Sequence, residues 1–429
     1  MTTTTERGAA PGGSGLRGML RGSVGIAVAM GVMNIATYGF QMVAARLLGP
    51  QEYGAVAGLM ALLLVMGVLQ LGLQATAARR IAATPGHVAQ IELTILRVTY
   101  RAALALGALM LVLAPAVWVV LRLDSPVSAV LLAFAAVPLT IMGGQAGILQ
   151  GERRWFPLAL LFLGVGVPRV VIGTVCLLIW PSETSAMFGV LIALLVPATI
   201  GWFALRRDRE PGESSDEHHA RPVIRETTTA SLALLAFFVL SNIDILIARN
   251  VLTLHEAGLY AGGLILTKAV LFLPQFVVVI AFPSMSTPEQ RRRALLQSLG
   301  LVFLIGLICT IGAWVLSDVA MVFVGGAEYG EVESLLPRFA VLGTLLALIQ
   351  LLVYSVLARR GTRSAYVIWM AVVVLLALSP WVTTLSGLVT TVTMVDAALF
   401  AVLLGLTLWR VSDRQTALAA DREAARAED

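Results

Sequence analysis

Lysine is all but missing. The 429-residue chain has one, Lys268, and every other basic side chain is arginine. Charged residues of either sign make up only 13%. Cysteine occurs twice, at Cys176 and Cys309, each inside an apolar run with no partner at metal-ligand spacing. Both read as small core-filling residues, so neither a disulfide framework nor a thiolate metal site is expected. His218 and His219 form a pair, but no cysteine or regularly spaced carboxylate supports them as ligands, and they read as part of a solvated linker. No Gly-rich loop ends in Lys-Ser or Lys-Thr, which excludes ATP hydrolysis by a P-loop in this chain. Neither a His-Glu-x-x-His helix nor a Gly-x-Ser-x-Gly elbow is present. The acidic stretch with Glu328, Glu331 and Glu333 is short and partly apolar. It reads as a solvated loop, not as the acidic constellation of a membrane glycosyltransferase. No catalytic residues, metal or organic cofactor are expected, and a non-enzyme is the reading.

What fills the chain is apolar surface. Hydrophobic residues make up 58% and the mean hydropathy is +0.89. Continuous apolar runs of about 20–25 residues have the length of membrane-spanning helices, not of alternating barrel strands. With no water to satisfy backbone groups in hydrocarbon, each run must bond internally. The reading is an all-α polytopic membrane protein of twelve transmembrane helices, with span three over 101–121 and span seven over 229–250. The polar, Gly-rich residues 1–22 read as a disordered cytoplasmic tail. The first apolar run is too long for a signal-peptide core. Residues 23–205 form an N-lobe of six spans, 206–228 a cytoplasmic linker, 229–410 a C-lobe of six spans, and 411–429 a cytoplasmic tail. The basic residues sort on this plan. With both termini in the cytoplasm, twenty-four of the thirty fall inside and four lie at or beyond the outer boundary. The net charge of +5 thus reflects topology, and no nucleic-acid partner is expected.

The halves repeat. Sliding the sequence by 204 positions brings Ala44 onto Ala248, Leu48 onto Leu252, Glu52 onto Glu256, Gly54 onto Gly258, Ala57 onto Ala261 and Gly58 onto Gly262. Both copies join the first two spans of their half on the same side. The repeat is therefore parallel, with its pseudo-twofold axis along the membrane normal.

Four ionisable residues fall well inside spans: Arg169, Asp244, Lys268 and Asp396. At about 1.5 Å per residue they lie in one layer between the outer half and the midplane. Such residues are costly in lipid and default to functional candidates. They fit either two structural ion pairs, with Asp244 and Lys268 facing across a hairpin, or a hydrated cavity that binds an anion. Lys268 and Arg169 are the candidate phosphate ligands. Asp244 and Asp396 are candidates for charge pairing or for a coupling site for H+ or Na+. Asn34, Tyr38 and Gln41 share one helix face. With Gln70, Gln74, Asn242 and Gln275 they suggest a polar seam between the halves, and Asn34 and Gln41 join the candidate headgroup-binding set.

Several stretches resemble a known family. "ARLLGPQEYG" at the end of span one, "NIDILIARNVLTLHEAGLYAGG", "AFPSMS" at residues 281–286 and "FVGGAEYGEVESLLP" resemble, in order and spacing, motifs of polysaccharide-biosynthesis flippases. These are the Wzx-type branch of the multidrug/oligosaccharidyl-lipid/polysaccharide (MOP) exporter superfamily. The resemblance implies two six-helix lobes in a V that opens alternately to either side. It implies a polyprenyl-phosphate-linked saccharide as cargo, membrane lipids around it, and glycosyltransferases or a polymerase of the same pathway as partners. It also implies the bacterial cytoplasmic (inner) membrane as location. Two other readings remain: a Na+- or H+-coupled multidrug exporter of the same superfamily, and a non-transporting accessory subunit for a glycosyltransferase.

Overall fold

At Gly49 the chain turns through φ 68° and ψ 175°, a conformation that suits glycine, and Pro50 follows with no N–H to donate. That pair breaks helix α1 (Ser23–Ala83) into two arms that run back to back. The computed structural model describes residues 23–206, 219–272, 291–357 and 363–428. Among them there is no strand. After α1 come α2 (Val88–Val120), α3 (Pro126–Gly151), α4 (Trp155–Ile179) and α5 (Glu183–Leu205). The second half holds α6 (Ala220–Val251), α7 (Leu254–Phe272), α8 (Arg291–Val315), the short α9 (Ser317–Val324), α10 (Leu336–Leu357), α11 (Arg363–Leu378) and α12 (Leu385–Glu428). Nine of the described helices are long and apolar enough to cross a membrane, and α11 is a shorter apolar one. The two arms of α1 with α2–α5 make six passes. Helices α6, α7, α8, α10, α11 and α12 make the other six. This is the twelve-helix, two-lobed architecture that the sequence predicts.

Helix ends overshoot the apolar runs. Helix α2 begins at Val88 where span three was expected from 101, and α6 begins at Ala220 where span seven was expected from 229. Hydropathy marks the part of a helix that lies in lipid, whereas backbone bonding continues until a cap or a break stops it. The residues expected to form a tail after 410 continue α12 to Glu428. The expected N-terminal tail, most of the linker with His218, and the 281–286 motif lie outside the described residues.

Caps set several of the starts. Ser125 accepts from the Val127 N–H at 3.2 Å ahead of Pro126, and Ser182 accepts from the Ser185 N–H at 3.1 Å. Thr253 and Glu256 form a reciprocal capping box at the start of α7, with Thr253 N–H to Glu256 Oε2 at 3.1 Å and Glu256 N–H to Thr253 Oγ1 at 3.2 Å. Each of α2–α5 also carries an internal proline: Pro115, Pro138, Pro168 and Pro197. Past their first turns, the described helices α6–α12 carry none.

The two copies of the repeat pack on each other at one end of the molecule, here termed the hairpin face. A Cβ on Gly54 would stand 3.1 Å from the Gly258 Cα, and one on Gly258 would land on the Pro50 carbonyl. Residues matched by the 204-position slide therefore meet, as they must near a twofold axis. The acidic loop is only partly solvated. Its Glu331 is exposed, but Tyr329 is fully buried and its hydroxyl donates to the Ala45 carbonyl at 3.2 Å. Gly262 lies flat against the Tyr329 ring, so the loop seals the seam between lobes.

Candidate functional site

The four charges that the sequence places well inside spans divide unevenly between the lobes. Asp244 on α6, Lys268 on α7 and Asp396 on α12 converge inside the second lobe, each within the field of the other two. They are 2%, 8% and 1% exposed, so none is solvated in this state. Asp244 is held at both oxygens: Oδ1 accepts from the Ile245 N–H at 2.9 Å and Oδ2 from the Tyr260 hydroxyl at 3.0 Å. The Tyr260 ring stands edge-on to Phe339 of α10 with centroids 5.3 Å apart, which fixes that hydroxyl. Asp396 Oδ1 has no hydrogen-bond partner.

Among the described residues Lys268 makes no direct ion pair. Its ammonium donates to the Ser241 carbonyl and, at 3.1 Å, to Asn242 Oδ1. Of the two readings left open by the sequence, the direct Asp244–Lys268 pair does not form, because the turn places Lys268 beside the 241–242 step, almost one helical turn earlier than Asp244. Two donors of the ammonium are committed to its own lobe.

Arg169 stands alone in the first lobe. It is 8% exposed, its Nε lacks a partner, and no described residue gives it a hydrogen bond or an ion pair. Its helix α4 packs on the first arm of α1 with almost no gap. A Cβ on Gly166 would approach the Met33 carbonyl to 2.6 Å, and Val170 meets Gly39. Position 169 lies between these contacts on the same face. A buried cation without a counter-charge is expensive, since neither water nor a carboxylate offsets its desolvation.

Between the lobes lies a small cavity of about 30 Å³, room for no more than a few waters. Gln41, Tyr53 and Leu64 line it from α1, and Asn242, Asp244 and Lys268 from the second lobe. Gln41 Oε1 accepts from the Tyr53 hydroxyl at 3.1 Å, and the Tyr38 hydroxyl reaches the Lys268 carbonyl at 3.3 Å. The expected polar seam therefore exists at Tyr38, Gln41, Tyr53 and Asn242. Gln74 and Gln70 are elsewhere. Gln74 bonds Gln150 of α3 at 2.9 Å and Gln70 backs onto Gly143, both within the first lobe. Of the four candidate headgroup ligands, Lys268 and Gln41 line the cavity. Arg169 and the half-buried Asn34 do not. Gln275 lies outside the described residues.

Sequence reasoning passed over Tyr53, Tyr260 and Arg249. Tyrosine in an apolar helix carries no charge signal. Arg249, at the end of an apolar run, is 2% exposed and bonded across the lobes. The neighbouring Asn250, a second polar residue at the end of an apolar run, was the available clue.

A family model described as polysaccharide biosynthesis protein matches residues 19–289. No curated protein matches the sequence. Among solved structures, an inward-facing conformation of a multidrug resistance MATE family transporter of the MOP superfamily aligns with a TM-score of 0.76 and 15% identity, over 94% of this chain and 98% of that one. The eukaryotic MATE transporter AtDTX14 aligns with 0.65 and 16% identity, over 90% and 94%. An outward-facing conformation of a multidrug resistance MATE family transporter of the MOP superfamily also aligns with 0.65 and 16% identity, over 93% and 97%. At these identities the likeness is one of fold.

Proposed function

The chain belongs to the polysaccharide biosynthesis protein family, a branch of the MOP transporters, and from that premise we propose that it is a flippase. Its cargo is a polyprenyl-phosphate-linked oligosaccharide or a related glycolipid, carried by alternating access from the cytoplasmic to the outer leaflet for cell-envelope polysaccharide synthesis. It is a multi-pass membrane protein. The arginine distribution favours the bacterial inner membrane with both termini in the cytoplasm, so the hairpin face is the outer one and the structure is a state sealed outward.

The observation that carries this reading is Arg169. A guanidinium held in the membrane interior with no acid beside it is a site prepared for an anion, and guanidinium fits phosphate oxygens with paired donors. The buried carboxylates of the first lobe, Glu92 and Glu183, lie near the starts of α2 and α5, and among the described residues neither forms an ion pair with Arg169. The cargo of this family needs two things: a path for a polar headgroup that avoids hydrocarbon, and a counter-charge for its phosphate. The cavity beside Gln41 and Lys268 has room for no more than a few waters, so the headgroup enters only when the lobes part. Glycosyltransferases or a polymerase of the same pathway would supply and consume the cargo.

Asp244, Asp396 and Lys268 together carry one excess negative charge when all are ionised. Such a cluster binds a proton or Na+, and this supports coupling through the second lobe. It also sustains the second reading, a cation-coupled multidrug exporter. The test is reconstitution in liposomes with a fluorescent polyprenyl-diphosphate saccharide. Movement to the outer leaflet, lost on Arg169→Met but retained in Asp244→Asn without an ion gradient, supports the flippase. Ion-driven export of organic cations with no movement of the saccharide lipid favours the exporter. Neither activity in well-folded protein would leave the accessory-subunit reading.

A further inference from the structure

Two helices end against each other at the hairpin face, one from each lobe. Helix α2 stops at Val120 and α6 at Val251. The last carbonyls of any helix lack helical donors and carry the negative end of its dipole. Arg249, near the end of α6, supplies donors to the other helix. Its Nε gives to the Leu121 carbonyl at 2.7 Å and its Nη2 to the Arg122 carbonyl at 2.7 Å, while Nη1 reaches the Gln51 carbonyl at 3.3 Å. Asn250 adds a bond to the Val120 carbonyl at 2.8 Å. The exchange runs the other way too. Arg122 Nη1 gives to the Arg249 carbonyl at 3.2 Å and the Leu252 carbonyl at 3.4 Å.

Arg122 occupies an unusual backbone position. The N–H of Arg122 bonds the Val119 carbonyl and that of Leu123 the Trp118 carbonyl, which is the pattern of a Schellman helix end. Its φ is 49°, where glycine is the ordinary occupant. A side chain kept at that conformation is strained on its own account. Here the side chain crosses to the opposite lobe. Arg153 takes a similar φ of 55° at the end of α3, but its side chain bonds no described residue of the second lobe.

We propose that Arg249 and Arg122 form a reciprocal latch in which each lobe caps a helix of the other, and that releasing both caps together is the step that opens the hairpin face. Guanidinium suits the task because its planar fork meets several carbonyls at once. The latch is conditional on contact. When the lobes part, both helix ends lose their donors in the same motion, and water entering the opening replaces them. The inference rests on the alternating-access reading above. It goes beyond that reading by assigning the outer gate to named residues that touch no cargo.

The test measures conformation, not transport. Spin labels are placed at the exposed positions Val127 and Val319, one per lobe at this face, in full-length protein in lipid nanodiscs with Cys176 and Cys309 replaced by serine. In Arg249→Gln the ratio of long to short inter-lobe distances rises about tenfold or more, as expected for loss of a charged hydrogen bond. Arg249→Lys gives a smaller rise. Arg122→Gly relieves the backbone, so it folds and melts no lower than the parent, yet it too shifts the ratio toward long distances. A distance distribution unchanged in both Arg249→Gln and Arg122→Gly, with folding intact, overturns the latch. If the distances respond but the parent protein moves no saccharide lipid, the latch stands and the flippase reading fails.

Discussion

Position 40 in the first lobe matches position 244 in the second, and position 64 matches 268. The first pair is Phe40 and Asp244, the second Leu64 and Lys268. The repeat thus places apolar side chains in one lobe where the other buries charge. Phe40 fills the space against Gly173 of α4, and Leu64 faces the same small cavity as Lys268. The second lobe sets one cation among two acids and gives hydrogen bonds to Asp244 and Lys268. The first lobe buries Arg169 with no bond to any described residue, and its buried carboxylates, Glu92 and Glu183, lie near the starts of α2 and α5. Matched scaffolds therefore bury charge differently: one holds a cluster of two acids and a cation, the other an arginine with no bond to any described residue.

That contrast can be broken most forcefully at Lys268. Replacing it by methionine leaves Asp244 and Asp396 uncompensated and should lower stability by about 3–5 kcal/mol, read from denaturant or thermal unfolding in nanodiscs. A variant as stable as the parent would mean that the cluster is not balanced by Lys268. Arg169→Met should do the opposite. Removing an unpaired cation from lipid depth should raise stability by roughly 2–3 kcal/mol, even as movement of the saccharide lipid is lost. Destabilisation by Arg169→Met would reveal an internal partner and dissolve the contrast. The smallest effect concerns the joints. Helix α7 begins with the Thr253–Glu256 box, whereas the matching position in the first lobe is Gly49. Thr253→Ala should cost about 1 kcal/mol, while Gln51→Ala, an exposed side chain, should leave unfolding unchanged within error.

The helix count, the lobes and the parallel repeat were legible because lipid imposes a simple rule on sequence. Every span must be apolar and about the same length. The four buried charges stood out for the same reason. Their partners did not. Whether Lys268 meets Asp244 or the Ser241 carbonyl depends on the rotation of α7 against α6, which a hydropathy pattern does not encode. The repeat glycines were visible as joints, yet their contact across the axis depends on the closeness of two backbones. The bonds of Arg249 were not legible because a charge at the end of a span looks the same whether it faces water or the carbonyls of another helix.

Pro168 immediately precedes Arg169. A proline inside a helix leaves the carbonyl four residues earlier, here Gly164, without its donor. Flexing α4 at that point breaks no bond that the helix possesses. The guanidinium thus rides at the fulcrum of a lever. A small swing of either arm of α4 tilts the charge without moving the lobe that carries it.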